Sequence, residues 1–209
     1  MTATQRLLLA SRNPHKLVEV RAVLEPLGWQ VLSVADQPKL AQLPDPTETG
    51  ATFSENAQLK AEFYRPFWPD AILADDSGLE VAALNGFPGV ASNRWFLGTA
   101  AQRNQALLTK LATLEATESV NRAAQFVTVL AWMAPQKTQV KFFKGIVSGR
   151  LLDEPHGQAG FGYDPLFVPA GYDQSFAELG LKEKNKLSHR AQALRALIEF
   201  LTHDQSETV

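Results

Sequence analysis

The feature that most constrains this chain is an unbroken apolar run, Ala71-Ile72-Leu73-Ala74, that ends in Asp75-Asp76-Ser77-Gly78. A short apolar run bounded by turn residues reads as a buried strand. Two adjacent carboxylates at its end cost desolvation and mutual repulsion unless a cation or water compensates. The carboxyl ends of strands are where α/β sheets hold ligands. Hard oxygen donors there suit Mg2+, which keeps waters and works together with substrate phosphates. One carboxylate could hold the ion while the other draws a proton from water, although neighbours on an extended segment point opposite ways. The plainer alternative is an Asx-type turn, with Gly78 supplying backbone freedom.

The rest of the chain alternates strands and helices. Leu7 to Ala10 reads as a buried strand leading into Ser11-Arg12-Asn13-Pro14, where Asn13 caps a helix and Pro14 suits its first turn. Leu17, Val20, Leu24 and Leu27 follow at helical spacing, with Gly28 as the stop, and Gln30 to Val34 is a second strand. Pro44, Pro46 and Gly50 mark an exposed loop before Thr52-Phe53-Ser54-Glu55, a capping box whose helix ends at Pro66 and Pro69. Gly86, Pro88 and Gly89 make a turn-rich loop, and a helix spans about Thr99 to Leu114. Ala124 to Ala134 and Thr138 to Val147, joined by Pro135-Gln136-Lys137, read as an antiparallel hairpin. A glycine-containing stretch at Gly157, Gly160 and Gly162 precedes a short strand at Leu166 to Val168. The last helix, about Ser188 to Thr202, buries Leu194, Leu197, Ile198 and Leu201. Such a pattern predicts an α/β fold with a mixed sheet. One folded unit over residues 1–209, with no separable linker, is expected.

Composition narrows the function classes. The 209 residues carry 20 Lys+Arg against 22 Asp+Glu, a formal charge of −2, which argues against gripping nucleic acid through bulk positive potential. There is no cysteine, so disulfides, thiolate metal sites and a cysteine nucleophile are excluded. His15, His156, His189 and His203 are too scattered for a helical zinc pair. The longest apolar stretch, Phe126 to Ala134, is broken by Thr128 and far shorter than the roughly 20 residues a bilayer needs. Leu7 to Ala10 after Arg6 is too short for a signal-peptide core, so no membrane partner and a cytoplasmic address are expected.

Three further groups can carry chemistry. The Ser11 to Lys16 turn, a strand end feeding a helix start, presents backbone N–H groups and a positive dipole end to phosphate; the bland reading is a plain cap with a solvated lysine. Asn56 and Lys60 share a helix face beyond Glu48, placing Lys60 to meet phosphate and Glu48 near a metal, or else leaving Lys60 simply exposed. Phe161-Gly162-Tyr163-Asp164 offers a ring face for a nucleobase and an acceptor for base or sugar donors. Lys184, His189 and Arg190 supply donors suited to a keto oxygen or phosphate. The alternative there is a core phenylalanine, a β-turn and a charged helix start.

The order of these segments is more telling than any one of them. Ser11-Arg12-Asn13-Pro14-His15-Lys16, Thr52-Phe53-Ser54-Glu55-Asn56-Ala57 with Lys60-Ala61, and Ala74 to Val81 running into Pro88-Gly89-Val90 and Arg94 come first. Gly160-Phe161-Gly162-Tyr163-Asp164-Pro165-Leu166-Phe167 and Ser188-His189-Arg190 complete the set. Together they closely resemble the inosine/xanthosine triphosphate pyrophosphatase family, over about Leu8 to Leu197. The resemblance implies an elongated mixed sheet with flanking helices, two lobes and a central cleft, in a homodimer. It also implies Mg2+-dependent cleavage of ITP, dITP or XTP to the monophosphate and pyrophosphate. Matched motif by motif, Ser11, Arg12, Asn13, Pro14, His15 and Lys16 would bind the triphosphate with help from Lys60. Glu48 and Asp76 would hold the metal, Asp76 also accepting the proton, and Ser77 would touch substrate. Phe161, Gly162, Tyr163, Asp164, Lys184, His189 and Arg190 would surround the nucleoside. Many relatives have glycine where Arg12 and His15 stand here. A nucleotide sensor without hydrolysis and a metal-dependent phosphatase of monophosphates are the competing readings.

Overall fold

A computed structural model describes residues 5–115 and 121–206. The chain opens with strand β1 (Gln5–Leu9), helix α1 (Pro14–Leu24), strand β2 (Trp29–Ser33), the single-turn helix α2 (Pro38–Ala41) and helix α3 (Phe53–Tyr64). It continues through β3 (Ala71–Val81), α4 (Ala100–Glu115), β4 (Ala123–Met133), β5 (Val140–Leu151), β6 (Phe167–Pro169), α5 (Phe176–Leu187) and α6 (His189–Ser206). The strands hydrogen-bond in the order β2-β1-β3-β4-β5-β6. β1 runs parallel to β2 and β3, whereas β5 and β6 are antiparallel, so the expected mixed sheet is present.

Local signals account for most boundaries. Asn13 Oδ1 accepts the N–H groups of His15 (2.9 Å) and Lys16 (3.4 Å), and Pro14 fills the first helical position, where no donor is needed. Thr52 and Glu55 form the expected capping box of α3. A second box, Ser175 with Glu178, opens α5, a helix absent from the sequence reading although the Ser-x-x-Glu spacing is its signature. Leu27 leaves the expected α1 stripe: the α-helix ends at Leu24, and Leu27 falls in the following turn, 54% exposed.

A larger correction concerns β3. The strand does not stop at Ala74 but runs on through Asp75-Asp76-Ser77-Gly78, with Leu79 and Val81 fully buried beyond. The acidic pair therefore sits in mid-strand, and neither a strand end nor an Asx-type turn occurs there.

Two compact units share the elements. The first takes the residues up to Asp76, Thr128–Gly145 and the residues from Arg190 onward, with Leu7, Leu9, Val20, Leu73, Leu130 and Leu194 in its core. The second takes Ser77–Val127 and Ile146–His189, with Leu79, Leu107, Leu111, Phe126, Phe167 and Phe176 in its core.

Within the first unit, α1, β3 and α6 meet at a buried ionic group. Arg190, at the start of α6 and 1% exposed, donates from Nε to Asp75 Oδ2 (2.6 Å) and from a terminal nitrogen to Glu19 Oε2 on α1. Lys16 Nζ pairs with Asp75 Oδ1 at 2.5 Å. Buried charges are tolerable only when paired and hydrogen-bonded, and these two cations and two anions satisfy that condition. Burial alone would raise the Asp75 pKa, but Arg190 and Lys16 outweigh it and hold the carboxyl well below the usual range.

A pH signature follows. Because the folded protein keeps Asp75 ionised and the unfolded chain protonates it near pH ~3.9, its stabilisation is complete above that value and lost as pH falls below it. Urea denaturation of metal-free protein should show stability dropping progressively as pH falls below about 4. Asp75→Asn should be less stable at neutral pH by on the order of 3 kcal/mol, yet decline less steeply over the same interval. Equal slopes in the two proteins would contradict this assignment.

Candidate active site

The site begins where β1 stops covering β3. Ala10 N–H donates to Leu73 O at 2.8 Å, after which the chain leaves the sheet for the α1 turn. Beyond that point side chains meet the β3 backbone. The Asp75 carbonyl accepts Lys16 Nζ (3.2 Å), from the first turn of α1, and Lys60 Nζ (2.7 Å), from α3. Strand alternation then parts the two carboxylates. Asp75 turns to Lys16 and Arg190, while Asp76 Oδ1 accepts from Lys60 Nζ at 2.7 Å. The same ammonium donates to Glu48 Oε1 at 3.0 Å. Lys60 thus joins both acids that the resemblance implies as metal ligands, and Lys16, Lys60, Glu48 and Asp76 stand together in one unit.

Electrostatics sharpen the contrast within the acidic pair. Asp76 is 5% exposed, and among the described residues its buried Oδ2 has no hydrogen-bond partner. Burial raises its pKa and Glu48 adds to the rise, with Lys60 opposing. Burial works against the charge on Lys60, but Asp76 and Glu48 more than offset it and raise its pKa. Burial lowers the pKa of Lys16, and Lys60 and Arg190 contribute in the same direction. A buried carboxylate with a raised pKa and an unsatisfied oxygen has the profile of a proton acceptor.

The polar turn is more occupied than expected. Asn13 N–H donates to Ser11 Oγ (3.2 Å), and the next two backbone donors are taken by Asn13 Oδ1. The open backbone donors expected for phosphate are therefore satisfied internally here. Pro14 and His15 are exposed, and Ser11 and Asn13 are half-buried. Arg12 reaches away from the turn, to Asp45 Oδ1 (2.6 Å) and the carbonyls of Ala41 (3.0 Å) and Leu43 (2.6 Å).

Ser77 follows on β3, half-buried and in the second unit, which also holds the expected nucleoside residues. Asp164 Oδ2 accepts the Phe161 N–H (2.8 Å) and Lys184 Nζ (2.6 Å), closing the Phe161–Asp164 turn on itself. Gly160, at φ 78°, admits that carboxylate where a Cβ would collide with it. Lys184 Nζ also lies 4.4 Å from the Phe161 ring centroid, a cation–π contact that fixes the ring face. Tyr163 is buried, its hydroxyl donating to Ser92 O (2.8 Å) and accepting from Trp95 Nε1 (2.7 Å). His189 stacks on Phe126 at 4.7 Å and 10°. Arg190, expected as a donor to a keto oxygen, is found on Asp75 and Glu19 in the first unit.

Sequence reasoning overlooked Glu19, Asn104 and Phe126 as supports. Glu19 had a signal, standing three residues beyond Lys16 and so on the same helix face. Asn104, which donates to Gly162 O at 3.1 Å, had none.

Known proteins resemble this chain along almost its whole length. A model of the Ham1 family matches residues 7–200. The dITP/XTP pyrophosphatase of Thermus thermophilus is 44% identical over 200 residues, covering 95% of this chain and 93% of the relative. That of Streptococcus pneumoniae is 44% identical over 204 residues, covering 96% and 98%. The solved structure of a HAM1 protein from Coxiella burnetii superposes with a TM-score of 0.82 at 39% identity, covering 95% and 99%. With the family model spanning nearly the whole chain and relatives this similar along almost all of theirs, the chain belongs to the Ham1 family.

Proposed function

We propose that this protein hydrolyses deaminated purine nucleoside triphosphates (ITP, dITP and XTP) to the nucleoside monophosphate and pyrophosphate, with Mg2+. The names of the relatives support the substrate class. The observation that carries the chemistry is Asp76, whose one oxygen meets Lys60 while the other is buried without a hydrogen-bond partner among the described residues.

The donor set fits a hard cation. Glu48 and Asp76 would hold Mg2+ through carboxylate oxygens, and the Asp76 carboxylate, with one oxygen unpartnered among the described residues, has capacity to do so. Among the described residues no cluster of three or more His, Cys, Asp or Glu side chains is arranged to hold a metal, so water and phosphate oxygens would have to complete the set. When bound, Mg2+ offsets the negative charge of the triphosphate and of the departing pyrophosphate. Asp76 takes a proton from the water that attacks the α-phosphorus in line. Lys16 and Lys60 balance charge on the phosphate oxygens. Ser11 to Lys16 contribute the positive end of α1, with Ser11 and Asn13 as polar contacts. Ser77 is assigned to substrate on sequence position.

For the nucleoside, Phe161 offers a ring face held by Lys184, and Gly162, Tyr163 and Asp164 shape the turn. Lys184 and His189 supply donors for a 6-keto oxygen, which adenine replaces with an amino donor. Polar groups left unpaired against adenine carry the discrimination. A cytoplasmic homodimer of single-domain chains is the state we propose. No helix among the described residues is long and apolar enough to cross a membrane.

Asp76→Asn should retain nucleotide binding by calorimetry yet lose at least about 100-fold in kcat. Unimpaired turnover would remove Asp76 from the mechanism. Lys16→Ala should raise KM on the order of tenfold and flatten its dependence on salt; an unchanged KM at several ionic strengths would refute the phosphate role. In a Mg2+ assay over dITP, ITP, XTP, GTP and ATP, kcat/KM for ITP should exceed that for ATP by at least about 100-fold, with pyrophosphate as product. Orthophosphate release, or a preference for ATP, would contradict the reading.

A further inference from the structure

Glu48 stands on a segment, residues 42–52, that has neither helix nor strand, so its approach to Lys60 depends on what grips the loop. Besides Glu55, whose Oε2 accepts the N–H groups of Ala51 (2.7 Å) and Thr52 (3.0 Å), two grips bracket Glu48. At the far end, the fully buried Asn56 of α3 clasps the Gly50 backbone in both directions, accepting its N–H at 2.8 Å and donating to its carbonyl at 3.3 Å. A Cβ on Gly50 would stand 2.6 Å from Glu55 Cβ, so that clasp depends on glycine. At the near end the grip is Arg12. Its guanidinium donates to the carbonyls of Leu40 (3.4 Å), Ala41 (3.0 Å) and Leu43 (2.6 Å) and to Asp45 Oδ1 (2.6 Å). The charge of the same guanidinium acts on Tyr64, one helical turn beyond Lys60, opposing the rise that burial gives its pKa.

We propose that Arg12 is a positioning residue for Glu48. It ties the polar turn after β1 to the loop, and so sets where the Glu48 carboxylate stands beside Lys60 and Asp76. This rests on the reading of Glu48 and Asp76 as the pair that holds the divalent cation. The geometry calls for arginine: one planar fork spans four acceptors on four residues, which a single ammonium point charge cannot do. With Arg12 removed, Asn56 still holds Gly50 and α3 still carries Lys60, so the change falls on the placement of Glu48. A purely structural contact would alter stability and leave cation affinity alone.

The test is Mn2+ binding to the substrate-free protein, followed by electron paramagnetic resonance, for wild type, Arg12→Ala, Arg12→Lys, Glu48→Gln and the Arg12→Ala/Glu48→Gln double variant. Thermal melts and amide exchange over residues 42–50 accompany it. Arg12→Ala should weaken Mn2+ binding on the order of tenfold, the scale of lost ligand-orienting contacts, and speed exchange in the loop. Arg12→Lys should not restore affinity, and Arg12→Ala should add little in the Glu48→Gln background. Wild-type affinity in Arg12→Ala overturns the inference, as does an equal loss with or without Glu48. Wild-type protein that hydrolyses dITP but takes up no Mn2+ without nucleotide overturns it too. A wild-type protein that hydrolyses no deaminated nucleotide would instead strike at the proposed function.

Discussion

Asp75 is the charge around which the first unit is arranged. A carboxylate in the middle of a buried strand is sustainable only if cations reach it, and two do, from opposite parts of the chain. Lys16 comes from the first turn of α1 and Arg190 from the first turn of α6, with Glu19 balancing the second cation. This requirement fixes the start of α1 beside β3. The position of the Lys16 ammonium is therefore set by the fold itself and not by a loop.

Asp76, one residue on, is treated oppositely. Strand alternation points it at Lys60, which it shares with Glu48, and leaves one oxygen buried and unsatisfied among the described residues. Two adjacent residues of one type thus acquire different chemistry: one is locked in its charged form, the other is pushed toward accepting a proton. Pairs of acids whose surroundings drive their pKa values apart are how one site divides structural and acid–base work. The split needs no special backbone, only period-two geometry and two lysines arriving from different helices.

Much of this was legible in the sequence, and the reasons differ by residue. Asn13-Pro14 and Thr52 with Glu55 announce their helices because caps act within four residues. The continuation of β3 was not legible. Whether Asp75 can sit in mid-strand depends on partners 59 and 115 residues away, and no local pattern records them. Helix α5 was missed because Gly180, at φ 73°, interrupts its helical conformation, although its capping box was in plain view. For the site, the family resemblance named the residues that gather around Lys60, while distances showed how they are grouped. It could not show that Arg12 is spent on the loop carrying Glu48, nor that Asp164 closes its own turn. Both facts rest on hydrogen bonds made only in the folded chain.

The most direct test of the account is site-resolved carbon NMR of the aspartate carboxyl groups in metal-free protein, titrated downward from neutral pH. Asp75 should show no protonation before the protein unfolds, while Asp76 should titrate above the usual aspartate value of about 3.9. Should the two carboxyl groups titrate together near that ordinary value, the division of roles between them would be wrong.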